Sequence, residues 1–207
     1  MQCTNRSEPK LVHAALDVKA WLAQPPSVAA GRPSQCPRCG HASRPVGRGL
    51  GLWGHGRRER QVRGPLTADG PPALVVVAAR RYRCRGCGTI VLVVPRGLVA
   101  RRLFSGPAIA LACTLFGVER RSLPQVRAAV HPWTTVGVTA ATSWRTLRRW
   151  VQAVRHGRLF PAVRLGVGDR PARAVAARVA RTLAALGPPG LAGDLRAQVF
   201  AGAGRAP

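Results

Sequence analysis

The chain has 207 residues, enough for one domain or two small ones. Its 33 basic and 7 acidic residues give a formal charge of +26 and point to a polyanionic partner, nucleic acid first. All the basic residues except Lys10 and Lys19 are arginines, whose planar fork suits phosphate. A GC-rich coding sequence also produces arginine, so the charge, not the arginine preference, points to the partner. Residues 1–10 are polar and lack the apolar segment of a leader. The apolar runs near 74–79, 90–94 and 108–118 are too short to span a bilayer. No membrane partner is expected, and the setting expected is cytoplasmic and nucleoid-associated.

Taken in order, residues 7–23 read as a helix. Ser7 can cap it, Glu8 and Pro9 suit its first turn, and Leu11, Ala15, Trp21 and Leu22 give a partial apolar face. Gln24-Pro25-Pro26 ends it, and a Gly/Pro/Ser-rich linker leads to a first cysteine knuckle, Cys36-Pro37-Arg38-Cys39-Gly40. Residues 55–63 read as a strand with basic groups on both faces, among them Arg57, Arg58 and Arg60. Such a strand is either solvated or lies against phosphate. The prolines and glycines of 65–72 mark a turn, 73–82 is an apolar β run, and a second knuckle follows, Cys84-Arg85-Gly86-Cys87-Gly88. Residues 89–94 form another β run closed by Pro95, which places the second knuckle at a hairpin tip.

The paired C-x-x-C-G knuckles supply four soft ligands, Cys36, Cys39, Cys84 and Cys87, for a tetrahedral metal site. Two intervening residues let both thiolates of a turn face one ion. The following glycine can take φ > 0 and let the backbone curl toward the sulfurs. Zinc is the expected ion, with iron as the alternative. A closed four-thiolate site is a scaffold rather than a catalyst. His41 and His55 are surplus to a filled sphere. Cys3 reads as a loose terminal thiol and Cys113 as a small buried hydrophobe.

A helical block follows. Ser105 can cap a helix opening at Gly106-Pro107, with Ile109, Ala112, Cys113 and Phe116 on one face and Gly117 at its end. Ser122-Leu123-Pro124-Gln125 is a capping box opening a short helix through Val130. Thr139 or Ser143 starts a third helix ending at His156-Gly157. Its inward face is Trp144, Leu147, Val151 and Val154, with Trp150 a further core anchor. Arg145, Arg148, Arg149, Gln152 and Arg155 lie on the other sides. Three short helices with a basic third one follow the plan of a helix-turn-helix, whose third helix enters the major groove. An ordinary amphipathic helix with a solvated arginine face has the same pattern. The connection 131–138 exceeds the 3–4-residue turn of the simple motif. After Pro171, Val175, Val179, Leu183 and Leu186 form a helical stripe, either core or a face for homo-oligomer formation. Residues 191–207 read as a small, flexible tail.

The expected fold class is α+β. It comprises an N-terminal helix and linker over 1–30, a zinc ribbon with an inserted hairpin over 31–96, a helix-turn-helix-like bundle over 97–160, and a C-terminal helix with a flexible tail over 161–207.

The two knuckles, the intervening His55-Gly56-Arg57-Arg58-Glu59-Arg60-Gln61-Val62 and the block Ser143-Trp144-Arg145-Thr146-Leu147-Arg148-Arg149-Trp150-Val151 resemble the amino-terminal zinc-ribbon and helix-turn-helix portion of bacterial insertion-sequence transposases. The likeness covers roughly residues 34–155. It implies that the four knuckle cysteines ligate zinc and that Arg145, Arg148 and Arg149 contact the element's terminal duplex DNA. Such transposases continue into a ribonuclease-H-like domain with a metal-binding acidic triad. Here the acidic residues are Glu8, Asp17, Glu59, Asp69, Glu119, Asp169 and Asp194, and only two follow the helical block. No nucleophile arrangement or phosphate-cradling glycine motif stands out. The expected function is therefore non-catalytic, zinc-dependent binding of duplex DNA. An RNA-binding ribonucleoprotein component and a partner-dependent transposase fragment are the alternatives.

Overall fold

The computed structural model describes residues 9–134, 136–138 and 143–206. These residues form a four-stranded mixed sheet and six α-helices, an α+β architecture. The chain divides into two compact units, Met1–Arg60 with Val76–Arg96, and Gln61–Val75 with Gly97–Pro207.

The first unit is built on strands β1 (Lys10–His13), β2 (Leu52–Gly64), β3 (Ala73–Cys84) and β4 (Ile90–Val94), with helix α1 (Val18–Ala23). The last residues of β2 and the first of β3 belong to the second unit. The strand order is β1-β4-β3-β2. β4 runs parallel to β1, Leu11 opposite Leu92, and antiparallel to β3, Tyr82 opposite Val91. A continuous apolar, β-branched run suits a strand flanked on both sides, and Val91 through Val94 are buried.

The helix expected over 7–23 is corrected here. Lys10–His13 is a strand, because the open edge of β4 offers its backbone a complete ladder that a solitary first turn could not. The helix that remains is α1. Its cap is Asp17, whose carboxylate accepts a hydrogen bond from the Ala20 N–H at 2.8 Å. Ser7 and Glu8 lie outside the described residues.

The buried Trp21 indole donates to the Ala78 carbonyl at 3.3 Å. Residues 26–28 are strapped to β3 by two side chains. The buried Arg80 donates through Nε at 2.9 Å and Nη2 at 2.6 Å to the Pro26 carbonyl, and the Tyr82 hydroxyl donates at 2.9 Å to that of Val28.

The second unit is organised on α2 (Gly106–Gly117), with α3 (Leu123–Val130), α4 (Arg145–Arg155), α5 (Ala172–Ala185) and α6 (Leu195–Arg205) packed against it. α2 is apolar on all sides, so it is buried from Ala108 to Leu115. The Ser105 hydroxyl accepts from the Ala108 N–H at 3.2 Å. At α3 the expected capping box forms, with Gln125 Oε1 accepting from the Ser122 N–H at 3.0 Å. Thr139 lies outside the described residues. α4 begins after Trp144. Phe104, Trp144 and Trp150 pack edge to face with centroids 5.0–6.3 Å apart, so both tryptophans are core.

The flexible tail expected at 191–207 is also corrected. Asp194 caps α6 by accepting from the Ala197 N–H at 3.0 Å, and Val199 and Ala203 are buried. Two glycines within a helix each cost it about 1 kcal/mol in isolation. Here they permit close approach: the Cα of Gly202 lies directly against the Leu183 carbonyl oxygen of α5, leaving no room for a Cβ. Gly117 of α2 meets the Ala176–Ala177 backbone in the same way. The stripe Val175, Val179 and Leu183 is therefore taken up inside the chain, while Leu186 stays exposed.

Glu119, after α2, ties α6 down. Its carboxylate accepts from Arg196 at 2.6 and 2.7 Å and from Arg121 at 2.9 Å. The Arg196 bonds, then the Arg121 charge, hold the Glu119 carboxyl below its ordinary value of 4.5. A depressed carboxyl contributes stability above its unfolded pKa and loses it as pH falls through the folded one. Glu119→Gln is expected to lower unfolding free energy at pH 7 by about 1 kcal/mol, allowing for solvent screening. Denaturation curves of variant and parent should converge below pH 4.5. Gly202→Val, which forces α6 off α5, should cost about 1–3 kcal/mol in the same assay.

Candidate metal centre and basic helix face

The two knuckles repeat one backbone pattern. In the first, the Gly40 N–H donates to the Cys36 carbonyl at 2.9 Å, and the Cys36 N–H donates to the His41 carbonyl at 2.9 Å. In the second, the Gly88 N–H donates to the Cys84 carbonyl at 2.9 Å, and the Cys84 N–H to the Thr89 carbonyl at 3.0 Å. Gly40 and Gly88 both have φ of +70°, so the turn itself requires the glycine that follows each second cysteine. The first knuckle stands on a bridge between Gln35 and Ala42, and the second joins β3 to β4. The Arg85 N–H donates to the Gly51 carbonyl at 2.8 Å, tying the start of β2 to the second knuckle.

This arrangement brings Cys36, Cys39, Cys84 and Cys87 together. Their sulfurs all lie within 4.8 Å of one another. Cys36–Cys87 is 3.8 Å and Cys39–Cys84 is 3.7 Å. Four sulfurs each about 2.3 Å from a common ion sit about 3.8 Å apart along the edges of a tetrahedron. These edges therefore have the size of a tetrahedral thiolate cage, and the four cysteines could hold a metal ion. Cys36 and Cys84 are buried, Cys87 is half-buried and Cys39 is exposed.

Cys87 and Cys39 are shifted in opposite directions. The Thr89 hydroxyl, then its N–H, holds Cys87 down to about 6. The His41 N–H pulls Cys39 down, but the Cys87 thiol, desolvation and the remaining sulfurs lift it to about 12. A cation at the centre favours the thiolate form of all four. The His41 ring lies against Gly51 and Gly86, and neither His41 nor His55 joins the cluster. Cys113 is fully buried on α2 and its thiol is pushed up to about 12 by that burial, so it is unreactive. Cys3 lies outside the described residues.

The basic residues singled out from the sequence fall in both units. In the first, Arg57 and Arg58 are exposed on opposite faces of β2. Arg60 is half-buried, and burial, then the neighbouring Arg58 charge, lowers its guanidinium pKa from the ordinary value. In the second, α4 buries Leu147, Trp150, Val151, Ala153 and Val154. Arg145, Arg148, Arg149, Gln152 and Arg155 are all exposed and share the opposite face. Arg155 also donates to the Arg170 carbonyl.

Sequence reasoning missed the outer layer of the cysteine cluster. His41 and Thr89 each stand two residues after a second cysteine, and Arg38 donates to the Thr89 hydroxyl at 3.0 Å. The repeated spacing was the only available signal. It also missed Arg63, whose guanidinium lies 4.4 Å from the ring centroid of the half-exposed Trp133. No family model, curated protein or solved structure matches the chain. Among the described residues, no helix is long and apolar enough to cross a membrane.

Elemental analysis of the purified chain is expected to find one metal ion per chain. Cys84→Ala should abolish its uptake. Because the ion joins knuckles far apart in sequence, chelation should cost several kcal/mol of stability in thermal or denaturant unfolding.

Proposed function

We propose that the protein is a non-catalytic, zinc-bearing module that binds duplex DNA through the exposed face of α4. One observation carries this reading. The guanidinium groups of Arg145, Arg148 and Arg149 make no ion pair or hydrogen bond among the described residues. The carboxylates of the second unit are engaged elsewhere: Glu119 and Asp69 with Arg196, Asp169 with Arg178, and Asp194 at the α6 cap. Unpaired guanidinium groups projecting from a rigid helix await an external anion. The first turn of α4 has no acidic residue and no side-chain cap. Cations there oppose the helix dipole, a cost that a phosphate offsets.

Eleven residues of helix span about 16 Å, a length that a major groove about 12 Å wide accepts with the arginines facing base edges and phosphates. The buried aromatic anchors behind α4 hold that face in place. Zinc is the natural ion for a closed four-thiolate cage, where it acts as scaffold. The engaged carboxylates also support a protein without nuclease or strand-transfer chemistry, since a two-metal site needs carboxylates converging on one open point. This combination fits the zinc-ribbon and helix-turn-helix portion of insertion-sequence transposases. The sequence between Val130 and Arg145 is longer than the 3–4-residue turn of the simple motif.

The test is selection of duplexes from a random pool at near-physiological salt, for the parent and for a variant with Arg145, Arg148 and Arg149 all changed to alanine. The parent is expected to enrich a motif. The folded variant should lose that motif, bind at least about 100-fold more weakly, and show a shallower salt dependence. Equal affinity and motif in the folded variant would reject the assigned surface. Preference for single-stranded RNA at equal salt would replace the duplex by RNA.

A further inference from the structure

We infer that the first unit carries a second nucleic-acid site, a stacking platform on β2 and β3 that takes an unpaired DNA strand, with Trp53 against a base and Arg81 and Arg83 on its phosphates. The choice of DNA over RNA rests on the duplex reading above; the platform itself is independent of α4.

Residues 26–28 fix which way the side chains of both strands point. A Cβ on Gly54 would come 2.7 Å from Val28 Cγ1, so the Gly54 side of β2 faces that segment. The Tyr82 hydroxyl donates to the Val28 carbonyl, so the Tyr82 side of β3 faces it too. Successive residues of a strand point to opposite faces. Trp53 and His55 of β2, and Arg81 and Arg83 of β3, therefore share the face turned away from residues 26–28. The two strands are hydrogen-bonded neighbours, and the Arg85 N–H bond to the Gly51 carbonyl sets the start of β2 beside the end of β3. The four side chains thus form one patch at the knuckle end of the sheet.

That face is closed further along β3, where Val77 and Ala79 are fully buried. It is open at the patch: Trp53 is 43 % exposed, Arg83 is exposed, and His55 and Arg81 are half-buried. The other tryptophans have work within the fold, Trp21, Trp144 and Trp150 as core and Trp133 against Arg63. Among the described residues the one ring contact of Trp53 is with His55, centroids 6.2 Å apart and planes tilted by 55°. His55 braces the indole from the side and leaves ring surface to solvent. Arg57 and Arg58 follow, exposed on opposite faces, so one of them extends the patch whichever way Gly56, at φ +82°, turns the strand.

The partner that fits must offer flat rings together with repeated negative charge. An acidic peptide supplies the charge without the rings, and a duplex keeps its base faces stacked inside. An unpaired strand presents both. Every base has a π face, so such a platform holds a strand without reading its sequence. The chain would then read a duplex through α4 and hold an unpaired strand through β2 and β3.

The experiment measures binding of the full chain to a short thymidine oligomer by fluorescence anisotropy at near-physiological salt. An abasic oligomer, a uridine oligomer and a duplex of the same length are measured beside it. Trp53→Ala is expected to weaken thymidine binding about 10–100-fold, to the level of the parent on the abasic oligomer, and to leave duplex binding unchanged. Trp53→Phe keeps a ring and should restore most of the affinity. Arg83→Ala should weaken thymidine and abasic binding alike and lessen the salt dependence. Lys10→Ala, on β1 at the other edge of the sheet, should keep the parent affinity. The variant with Arg145, Arg148 and Arg149 changed to alanine should keep thymidine binding while losing the duplex. The platform is overturned if the parent binds thymidine and abasic oligomers equally, or if a folded Trp53→Ala binds thymidine as the parent does. Should Trp53→Ala fail to fold, the abasic comparison on the parent decides. Loss of both ligands in the triple variant would mean one surface and overturn the second site. Tighter binding of uridine than of thymidine would overturn the choice of DNA. A parent that holds thymidine through Trp53 but binds no duplex upholds the platform and removes the α4 reading alone.

Discussion

Four thiols can meet at one point only if two short turns, far apart in the chain, are held mouth to mouth. Each knuckle is a local object, set by an i,i+3 cysteine pair and a glycine at φ +70°. Their meeting is not local. The stretch 40–83 must leave the first knuckle and return to the second, and the entropy of closing such a loop opposes this. The sheet supplies the return path. β2 starts beside the second knuckle through the Arg85–Gly51 bond, and β3 runs directly into Cys84. An ion held there would add its ligand bonds to this arrangement and so couple metal affinity to folding of the first unit.

The second unit solves a different problem, that of ordering a strongly basic chain with few acids. Its centre is uncharged. α2 is apolar on all sides, and glycines at 117 and 202 let backbone approach backbone, so dispersion and burial carry the packing. The few carboxylates are placed where they close structure: Glu119 on α6, Asp169 on the segment before α5, Asp194 at a cap. With the acids so engaged, the arginines of α4 are left facing water. Structural economy in acids and the open basic face are two consequences of the same composition.

Legibility followed the range of the interactions involved. The caps of α2 and α3 were readable because Ser105-Gly106-Pro107 and Ser122-Leu123-Pro124-Gln125 carry their partners within one turn. The amphipathic face of α4 was readable because its apolar residues recur at helical spacing, and its buried and exposed sides separate as that spacing implies. β1 was misread because Lys10–His13 has no strong preference of its own and takes its conformation from β4, some eighty residues on. The tail was misread because its glycines look like loop residues until the α5 backbone is placed against them.

The sequence by itself determined the four cysteines that converge, the glycines that shape their turns, the capped helices and the charge. The knuckles, their glycines and the caps are each written in contiguous residues whose partners are at most a few positions away, and the matching C-x-x-C-G spacing of the two knuckles is what marks them as a pair. Only the tertiary structure decided that an N-terminal segment joins the sheet and that the C-terminal segment is a packed helix. It alone placed Arg38 of one knuckle on Thr89 of the other and, among the described residues, left the arginines of α4 without carboxylate partners. Those outcomes depend on which distant surfaces become neighbours, and no short window of sequence contains both partners.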